Sequence, residues 1–331
     1  MGFINSEQKF AVFGSTGMVG SSICRLLQKQ GYKRIFKPKR NELNLLDVNS
    51  VISWFNEFNP DVVILCAAKV GGIHANNIYP ADFILENLKI QTNVIETSWK
   101  CNVKKFLFLG SSCIYPKYAN QPILEEELLK GELEPTNQWY AIAKISGIKL
   151  CEALRKQYGF NSISLMPTNL YGPGDNYDEL NSHVLASFIR RFHKAKMEES
   201  EKVTCWGTGT PMREFLHVDD LAKASLFVLE NWDIKSNFNP LDSDGEPLSF
   251  LNVGTGKDIS IKELAYLVAE IIGFKGAIKW DKSMPDGTPR KLLDISRLRN
   301  LGWSPQIDFK DGLKLTIESF ERQYKVKSNL H

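Results

Sequence analysis

A parallel, doubly wound α/β sheet with a smaller C-terminal lobe is the fold this sequence predicts, and three observations predict it. Short apolar runs alternate with longer stretches of helical periodicity through the first 171 residues. A glycine-spaced turn joins the first run to the first helix. After Tyr171 the alternation gives way to turns, one helix and short strands separated by polar loops. With 331 residues, 43% of them hydrophobic and 24% charged, the chain can bury one main core and a lesser one.

The elements follow in order. Lys9–Phe13 is an apolar run ending at Gly14 and reads as a buried strand entering a turn. Apolar residues then recur at helical spacing from Met18 to Gln30, until Gly31 stops the pattern. Arg34–Phe36 completes a first strand–helix–strand unit. Asp61–Cys66 and Lys105–Leu109 read as two further buried strands, separated by a helix over Pro80–Lys100. A helix from about Trp139 to Tyr158 leads to a fifth strand at Ser162–Met166. Beyond the turn Gly172-Pro173-Gly174-Asp175, a helix is expected over Ser182–Lys196. The chain is expected to rejoin the main sheet at Arg213–Asp219 and again at Phe250–Val253. The predicted division is therefore residues 1–171 with a return over 213–258 for the sheet domain, and 172–212 with 259–331 for the second lobe.

Charge and cysteines exclude several classes. A net charge of +3, from 41 basic and 38 acidic side chains, is too balanced for binding nucleic acid or a membrane through a long-range field. The six cysteines are scattered, without a CxxC pair or other metal-ligand spacing, and no secretory leader precedes them. Reduced thiols in a cytoplasmic compartment are the expectation, with no metal. The longest apolar runs fall well short of a bilayer span.

Gly14-Ser15-Thr16-Gly17-Met18-Val19-Gly20 places three glycines between a predicted strand and a predicted helix. In a Rossmann unit the first permits a tight turn, the second lets backbone approach a pyrophosphate, and the third allows close packing of the helix. Unpaired N–H groups at the helix start favour a bound anion. Such sites choose between NAD and NADP at the end of the second strand, where a carboxylate holds a free ribose hydroxyl and an arginine accommodates a 2′-phosphate. Lys37-Pro38-Lys39-Arg40 stands there, with no carboxylate before Glu42. NADP(H) is the expected cofactor, with Arg40 at the phosphate. Asp47 is placed to accept from an adenine amino group, and the small Ala67 and Ala68 let a cofactor lie close to the third strand.

Ser111 follows the strand ending at Leu109, at the carboxyl edge where open α/β sheets bind ligands. Tyr140 and Lys144, four apart, share one face of a predicted helix. In such a trio the lysine cation lowers the tyrosine pKa and orients a nicotinamide ribose. The tyrosine transfers a proton, and the serine hydroxyl holds a substrate oxygen. Cys113 lies two residues after Ser111, and His183 opens the helix of the lobe. Thiol and imidazole can exchange protons near neutral pH, so the pair can serve as base and acid on opposite faces of a keto sugar. A purely structural part for both stays open on these residues alone. In the lobe, Arg190, Arg191 and Arg213, with Lys282, are candidates for a diphosphate, whose geometry the guanidinium fork matches. Trp206 is a candidate for stacking on a base.

The runs Ala67-Ala68-Lys69-Val70-Gly71-Gly72-Ile73 and Gly110-Ser111-Ser112-Cys113-Ile114-Tyr115-Pro116, together with Glu134-Pro135-Thr136-Asn137 before Tyr140-Ala141-Ile142-Ala143-Lys144, resemble the GDP-L-fucose synthase family of extended short-chain dehydrogenase/reductases. So do Met166–Pro173, Asn181–Val184, Thr210–Phe215 and Asp286–Lys291, and the likeness extends to about Trp303. The resemblance implies a two-step conversion of GDP-4-keto-6-deoxy-D-mannose to GDP-L-fucose: epimerisation at C3 and C5, then NADPH reduction at C4. It implies Cys113 and His183 as epimerisation base and acid, and Ser111, Tyr140 and Lys144 as the reduction residues. It adds Pro167, Asn169, Leu170 and His183 to the cofactor site. To the substrate site it adds Ser112, Asn169 and Asp286, beside Ser111, Cys113, Tyr140, His183, Arg191, Trp206, Arg213 and Lys282. Some relatives carry a basic residue inside the glycine turn where this chain has Thr16, which leaves Arg40 more of the 2′-phosphate. A homodimer through helices at about Glu86–Lys100 and Trp139–Tyr158 is also implied. The alternatives are a sister enzyme for another 4-keto-deoxy sugar nucleotide, such as a GDP-colitose synthase, a simple dehydrogenase, and a catalytically silent dinucleotide-binding protein. Cys113 and His183 weigh against the second, and the five intact site residues against the third.

Overall fold

The computed structural model describes residues 3–179, 181–236, 239–243, 245–284 and 286–328. Strand β1 (Lys9–Phe13) leads through the glycine turn into α1 (Met18–Lys29). Then come β2 (Arg34–Phe36), α2 (Val48–Phe58), β3 (Val62–Leu65), α3 (Ile73–Ile78), α4 (Pro80–Lys100), β4 (Lys105–Leu109), α5 (Gln138–Tyr158) and β5 (Ser162–Pro167). Two 3-10 turns, Ser112–Ile114 and Glu125–Glu127, lie between β4 and α5. The second half runs β6 (Asn169–Tyr171), α6 (Val184–Met197), β7 (Lys202–Trp206), β8 (Met212–His217), α7 (Val218–Asn231), β9 (Phe250–Val253) and β10 (Asp258–Ser260). It ends with α8 (Ile261–Ile272), β11 (Ala277–Asp281), β12 (Arg290–Lys291), α9 (Ser296–Asn300) and α10 (Phe309–Ser328).

The main sheet is parallel and ordered β2-β1-β3-β4-β5-β9. Its inner strands are buried and mainly apolar because helices cover both faces. Successive side chains point to opposite sides, so Phe10 and Val12 of β1 pack with Ile23, Leu27, Leu221 and Leu229 of α1 and α7. Ala11 and Phe13 pack on the other side with Val51, Phe55, Val94 and Ile148 of α2, α4 and α5. The chain order reverses between β1 and β3, which opens a crevice at their carboxyl ends. The glycine turn lies against the end of β3, where a Cβ on Gly14 would meet the Ala67 nitrogen, and Lys144 of α5 reaches the end of β4.

The second lobe has its own core, built from Phe188 and Phe192 of α6, Leu264 and Val268 of α8, and Leu313 and Ile317 of α10. Helix α8 starts with a reciprocal capping box between Ser260 and Glu263 and ends on left-handed Gly273. Strands β7 and β11 pair in parallel beside it.

One expectation is corrected here. Arg213–Asp219 does not rejoin the main sheet: β8 pairs antiparallel with β10 and parallel with β12 and β6, forming a small sheet of its own. The edge beside β5 is taken by β9, which does return as expected. Buried Glu214 holds β8 in its place, accepting backbone hydrogen bonds from Thr255, Gly256 and Leu293. Among the described residues no helix is long and apolar enough to cross a membrane.

Candidate active site

The glycine turn is shaped by two contacts. Gly14 is left-handed at φ +85°, and a Cβ there would meet the Ala67 backbone nitrogen at 2.6 Å. A Cβ on Gly20 would lie 2.2 Å from the Gly14 carbonyl oxygen. At Gly17, by contrast, an added Cβ meets no protein atom closer than 3.5 Å, so the space in front of it faces the crevice rather than the fold. Gly17 is the N-cap of α1 without a side-chain cap, and the first turn carries no acidic residue. Uncapped N–H groups, the positive end of the helix dipole and a missing Cβ suit a pyrophosphate. These residues therefore fit a dinucleotide.

Arg40 lies exposed just beyond β2, as do Lys37 and Lys39. The nearest carboxylate, Glu42, accepts from the Lys39 backbone N–H at 2.9 Å and so holds the loop rather than facing the crevice. Asp47 is the N-cap of α2: Oδ1 accepts from the Asn49 N–H at 3.0 Å and Oδ2 from the Ser50 hydroxyl at 2.6 Å. These bonds hold its carboxyl below the usual range, and any adenine contact has to share the group with the cap.

Ser111 follows β4 in extended conformation, and its Oγ accepts from the Cys113 N–H at 3.2 Å, capping the 3-10 turn that carries Cys113. Tyr140 and Lys144 project from successive turns of α5. The Lys144 side chain is buried at 3% exposure, with Nζ donating to the Leu109 carbonyl at 2.7 Å. Its ammonium lies 4.7 Å from the Phe108 ring centroid and 5.7 Å from that of Tyr140. Burial brings its pKa down to about 8, against a smaller upward pull from Cys66. A charged lysine held here destabilises the fold at neutral pH, and that penalty recedes as pH rises from about 8 towards its ordinary value.

The net shift of Tyr140 is upward, opposite in sign to the pull expected of Lys144. Burial first, and the neighbouring Cys113 second, push Tyr140 well above its ordinary value, and a hydrogen bond with Ser111 offsets this only in part. The lysine ammonium sits over the Tyr140 ring, 5.7 Å from its centroid, and donates to the Leu109 carbonyl. The phenol is consequently held protonated, as a proton donor must be.

Cys113 is half-buried, and the Asn137 amide Nδ2 lies 3.5 Å from its sulfur. Lys291 Nζ, from β12, stands 4.0 Å away. His183 is the N-cap of α6 and makes no cap bond with its side chain. Its loop is fixed by the Gly72 N–H, which donates to the Asn181 carbonyl at 3.1 Å, and a Cβ on Gly72 would crowd the Ser182 oxygen at 3.1 Å. His183 is exposed, and desolvation by the surrounding protein lowers its pKa.

The remaining candidates divide. Arg213 is largely withdrawn from solvent, its Nη1 donates to the Met212 carbonyl at 2.8 Å, and it is coupled to Glu134, Asp286 and Cys113. Trp206 ends β7 with 66% of its surface exposed. Arg191 donates to the Thr204 carbonyl, and Arg190 pairs with Glu179 at 3.4 Å. Asp286 tethers the loop after Trp206, accepting from the Thr208 N–H at 2.7 Å and hydroxyl at 2.8 Å. Asn169 donates to the Glu214 carbonyl at 2.8 Å. Pro167 closes β5, Leu170 packs into the core, and Ser112 is buried in the turn before Cys113. Lys282 is exposed in the turn after β11. Besides Lys144, Lys291 comes near the reacting groups, with Nζ 4.0 Å from the Cys113 sulfur, and sequence reasoning did not single it out. Asn137 was also missed, although its place just before the helix of Tyr140 and Lys144 is a readable signal.

Residues 10–239 match the model of the NAD dependent epimerase/dehydratase family. The chain is 54% identical to GDP-L-fucose synthase 1 of Arabidopsis thaliana over 314 residues, 95% of this chain and 93% of the relative. To GDP-L-fucose synthase of Escherichia coli strain K12 it is 52% identical over 315 residues, 95% of this chain and 97% of the relative. Among solved structures, the GDP-mannoheptose C4 reductase from Campylobacter jejuni with NADP bound matches with a TM-score of 0.87 at 38% identity, covering 96% of this chain and 99% of that one.

Proposed function

The chain belongs to the NAD dependent epimerase/dehydratase family, and from that premise we propose that it converts GDP-4-keto-6-deoxy-D-mannose to GDP-L-fucose, by epimerisation at C3 and C5 followed by NADPH reduction at C4. The observation that carries this reading is the coupling of Cys113 to Ser111 and Tyr140. The Cys113 N–H donates to Ser111 Oγ at 3.2 Å, and both residues act on the buried Tyr140 phenol, Cys113 raising its pKa and Ser111 lowering it. A single carbonyl position then serves both steps.

With the C4 oxygen between the Ser111 and Tyr140 hydroxyls, the Cys113 thiolate takes the proton from the adjacent carbon. Both hydroxyls donate to the enediolate oxygen as its charge develops. His183, once protonated, returns a proton to the opposite face of that carbon; the thiol then releases its proton to solvent, the imidazole takes one up, and the exchange repeats at the second centre. NADPH, when bound, supplies the hydride for C4. Tyr140 gives its proton to the C4 oxygen, and Lys144 over the ring stabilises the phenolate left behind. Arg213 suits the diphosphate and Trp206 a stacked guanine. The exposed Leu85 of α4 with Trp139 and Ile142 of α5 suits a homodimer face.

The cofactor reading rests on Arg40. Replacing it with alanine is expected to raise the KM for NADPH by about tenfold or more, the worth of a charge-assisted hydrogen bond, and to leave the KM for NADH unchanged. Equal changes for both cofactors would remove Arg40 from the phosphate site. For Lys144 the sign is fixed by its downward shift: the ammonium is present below about pH 8 and lost above it. Turnover limited by reduction is therefore expected to decline as the pH passes about 8. A profile flat to pH 10, near the ordinary lysine value, contradicts that part for Lys144.

The test of the function is to incubate the protein with GDP-4-keto-6-deoxy-D-mannose and NADPH. Stoichiometric NADPH oxidation with GDP-L-fucose as product supports it. Cofactor binding without oxidation rejects this hexose.

A further inference from the structure

Asn137 breaks a local rule. It occupies the N-cap position of α5, where an asparagine side chain ordinarily accepts from an N–H of the first turn. Here its side chain makes no cap bond and turns instead to Cys113, with Nδ2 3.5 Å from the sulfur. The carbonyl half of the amide, Oδ1, is left buried without a partner. The helix thus loses a cap and carries an unsatisfied acceptor, both unfavourable, so that a donor faces the sulfur.

The charges around the sulfur have one predominant sign. Lys291 Nζ reaches it from β12 at 4.0 Å, and Arg213 of β8 is coupled to it electrostatically. Glu134 and Asp286 are the carboxylates that act on Arg213 together with Cys113; Glu134 is paired with Lys117 at 3.0 Å and bonded by the Thr288 hydroxyl at 3.3 Å, and Asp286 is engaged by the Thr208 N–H and hydroxyl. Tyr140, from α5, is held neutral. The uncapped start of α5, with no acidic residue in its first turn, adds its positive dipole end. Donors and cations beside a thiol favour its anion.

We propose that Asn137 and Lys291 are positioning residues for Cys113, the amide N–H and the ammonium holding its sulfur as the thiolate that removes a carbon-bound proton. This inference rests on the proposed epimerisation. It predicts how Cys113 behaves even before substrate is present.

The test is the pH dependence of Cys113 alkylation by iodoacetamide, resolved from the other cysteines by peptide mass spectrometry, in the cofactor-free protein. Asn137→Ala and Lys291→Gln are each expected to move the midpoint upward by about one pH unit, a tenfold loss of thiolate at neutral pH. Lys291→Arg, which keeps the charge, should restore the wild-type midpoint. Asn137→Asp keeps the side chain's shape, guards against misfolding, and puts a carboxylate against the sulfur, so its midpoint should rise further. In these variants, solvent exchange at C3 and C5 of the keto sugar should slow with the loss of thiolate while NADPH binding is retained. Wild-type midpoints in Asn137→Ala and Lys291→Gln overturn the proposal. Because alkylation needs no sugar, that outcome is separable from an error in the proposed substrate.

Discussion

Tyr140→Phe is expected to lower NADPH oxidation by about one hundred- to ten-thousandfold, the usual contribution of a positioned general acid. Phenylalanine keeps the ring that covers the Lys144 ammonium at 5.7 Å from its centroid, so α5 and the lysine contact to the Leu109 carbonyl should survive. What disappears is the hydroxyl that burial keeps protonated. Binding of NADPH, measured by fluorescence, should change little, because the pyrophosphate site at Gly14, Gly17 and α1 is built from backbone. Deuterium exchange at C3 and C5 should persist at a reduced rate, since Ser111 still donates to the enediolate. Full-rate oxidation by this variant would remove Tyr140 from proton transfer.

The complementary prediction is Cys113→Ser. A serine hydroxyl keeps nearly the size of the thiol and can still receive the Asn137 donor, but it does not ionise near neutral pH. Exchange at C3 and C5 is therefore expected to fall by about one hundred- to ten-thousandfold, and formation of GDP-L-fucose with it. A 4-keto sugar already inverted at both centres should be reduced at close to the normal rate, because Ser111, Tyr140 and Lys144 are untouched. Together the two substitutions separate the steps: one leaves exchange without reduction, the other reduction without exchange. Undiminished exchange in the serine variant would reject Cys113 as the base.

Much of this was legible in the sequence, for reasons that also explain what was not. Strands β1, β3, β4 and β5 were read nearly to the residue because a parallel strand covered on both faces must be a short, continuous apolar run between turns. The glycine turn was readable because Gly14 and Gly20 meet backbone atoms that no side chain can clear. The partner of β8 was not readable. Met212–His217 is plainly strand-like, yet nothing local distinguishes the edge of β5 from a separate sheet with β6, β10 and β12. The pairing of β7 with β11 is likewise made across the intervening small sheet and α7, by contacts that leave no periodic mark.

At the site, the order of Ser111, Tyr140 and Lys144 on a strand end and one helix face was visible beforehand. Their electrostatics were not. The direction of the Tyr140 shift depends on burial and on Cys113, neither of which spacing reveals. Asp47 and Asp286 were read as ligand contacts, and the fold adds a second task that spacing does not reveal, helix capping for one and loop tethering for the other. Lys291 and Asn137 come to Cys113 from a different strand and from the start of a helix, and only the fold brings the three together.

The most direct measurement of the central claim, that one cleft performs both epimerisation and reduction, is to run the reaction in deuterium oxide with unlabelled NADPH and examine the product by NMR. The account predicts GDP-L-fucose carrying deuterium at C3 and C5 and protium at C4. A reduced GDP-sugar with protium at C3 and C5 and the configuration of the starting hexose would contradict it.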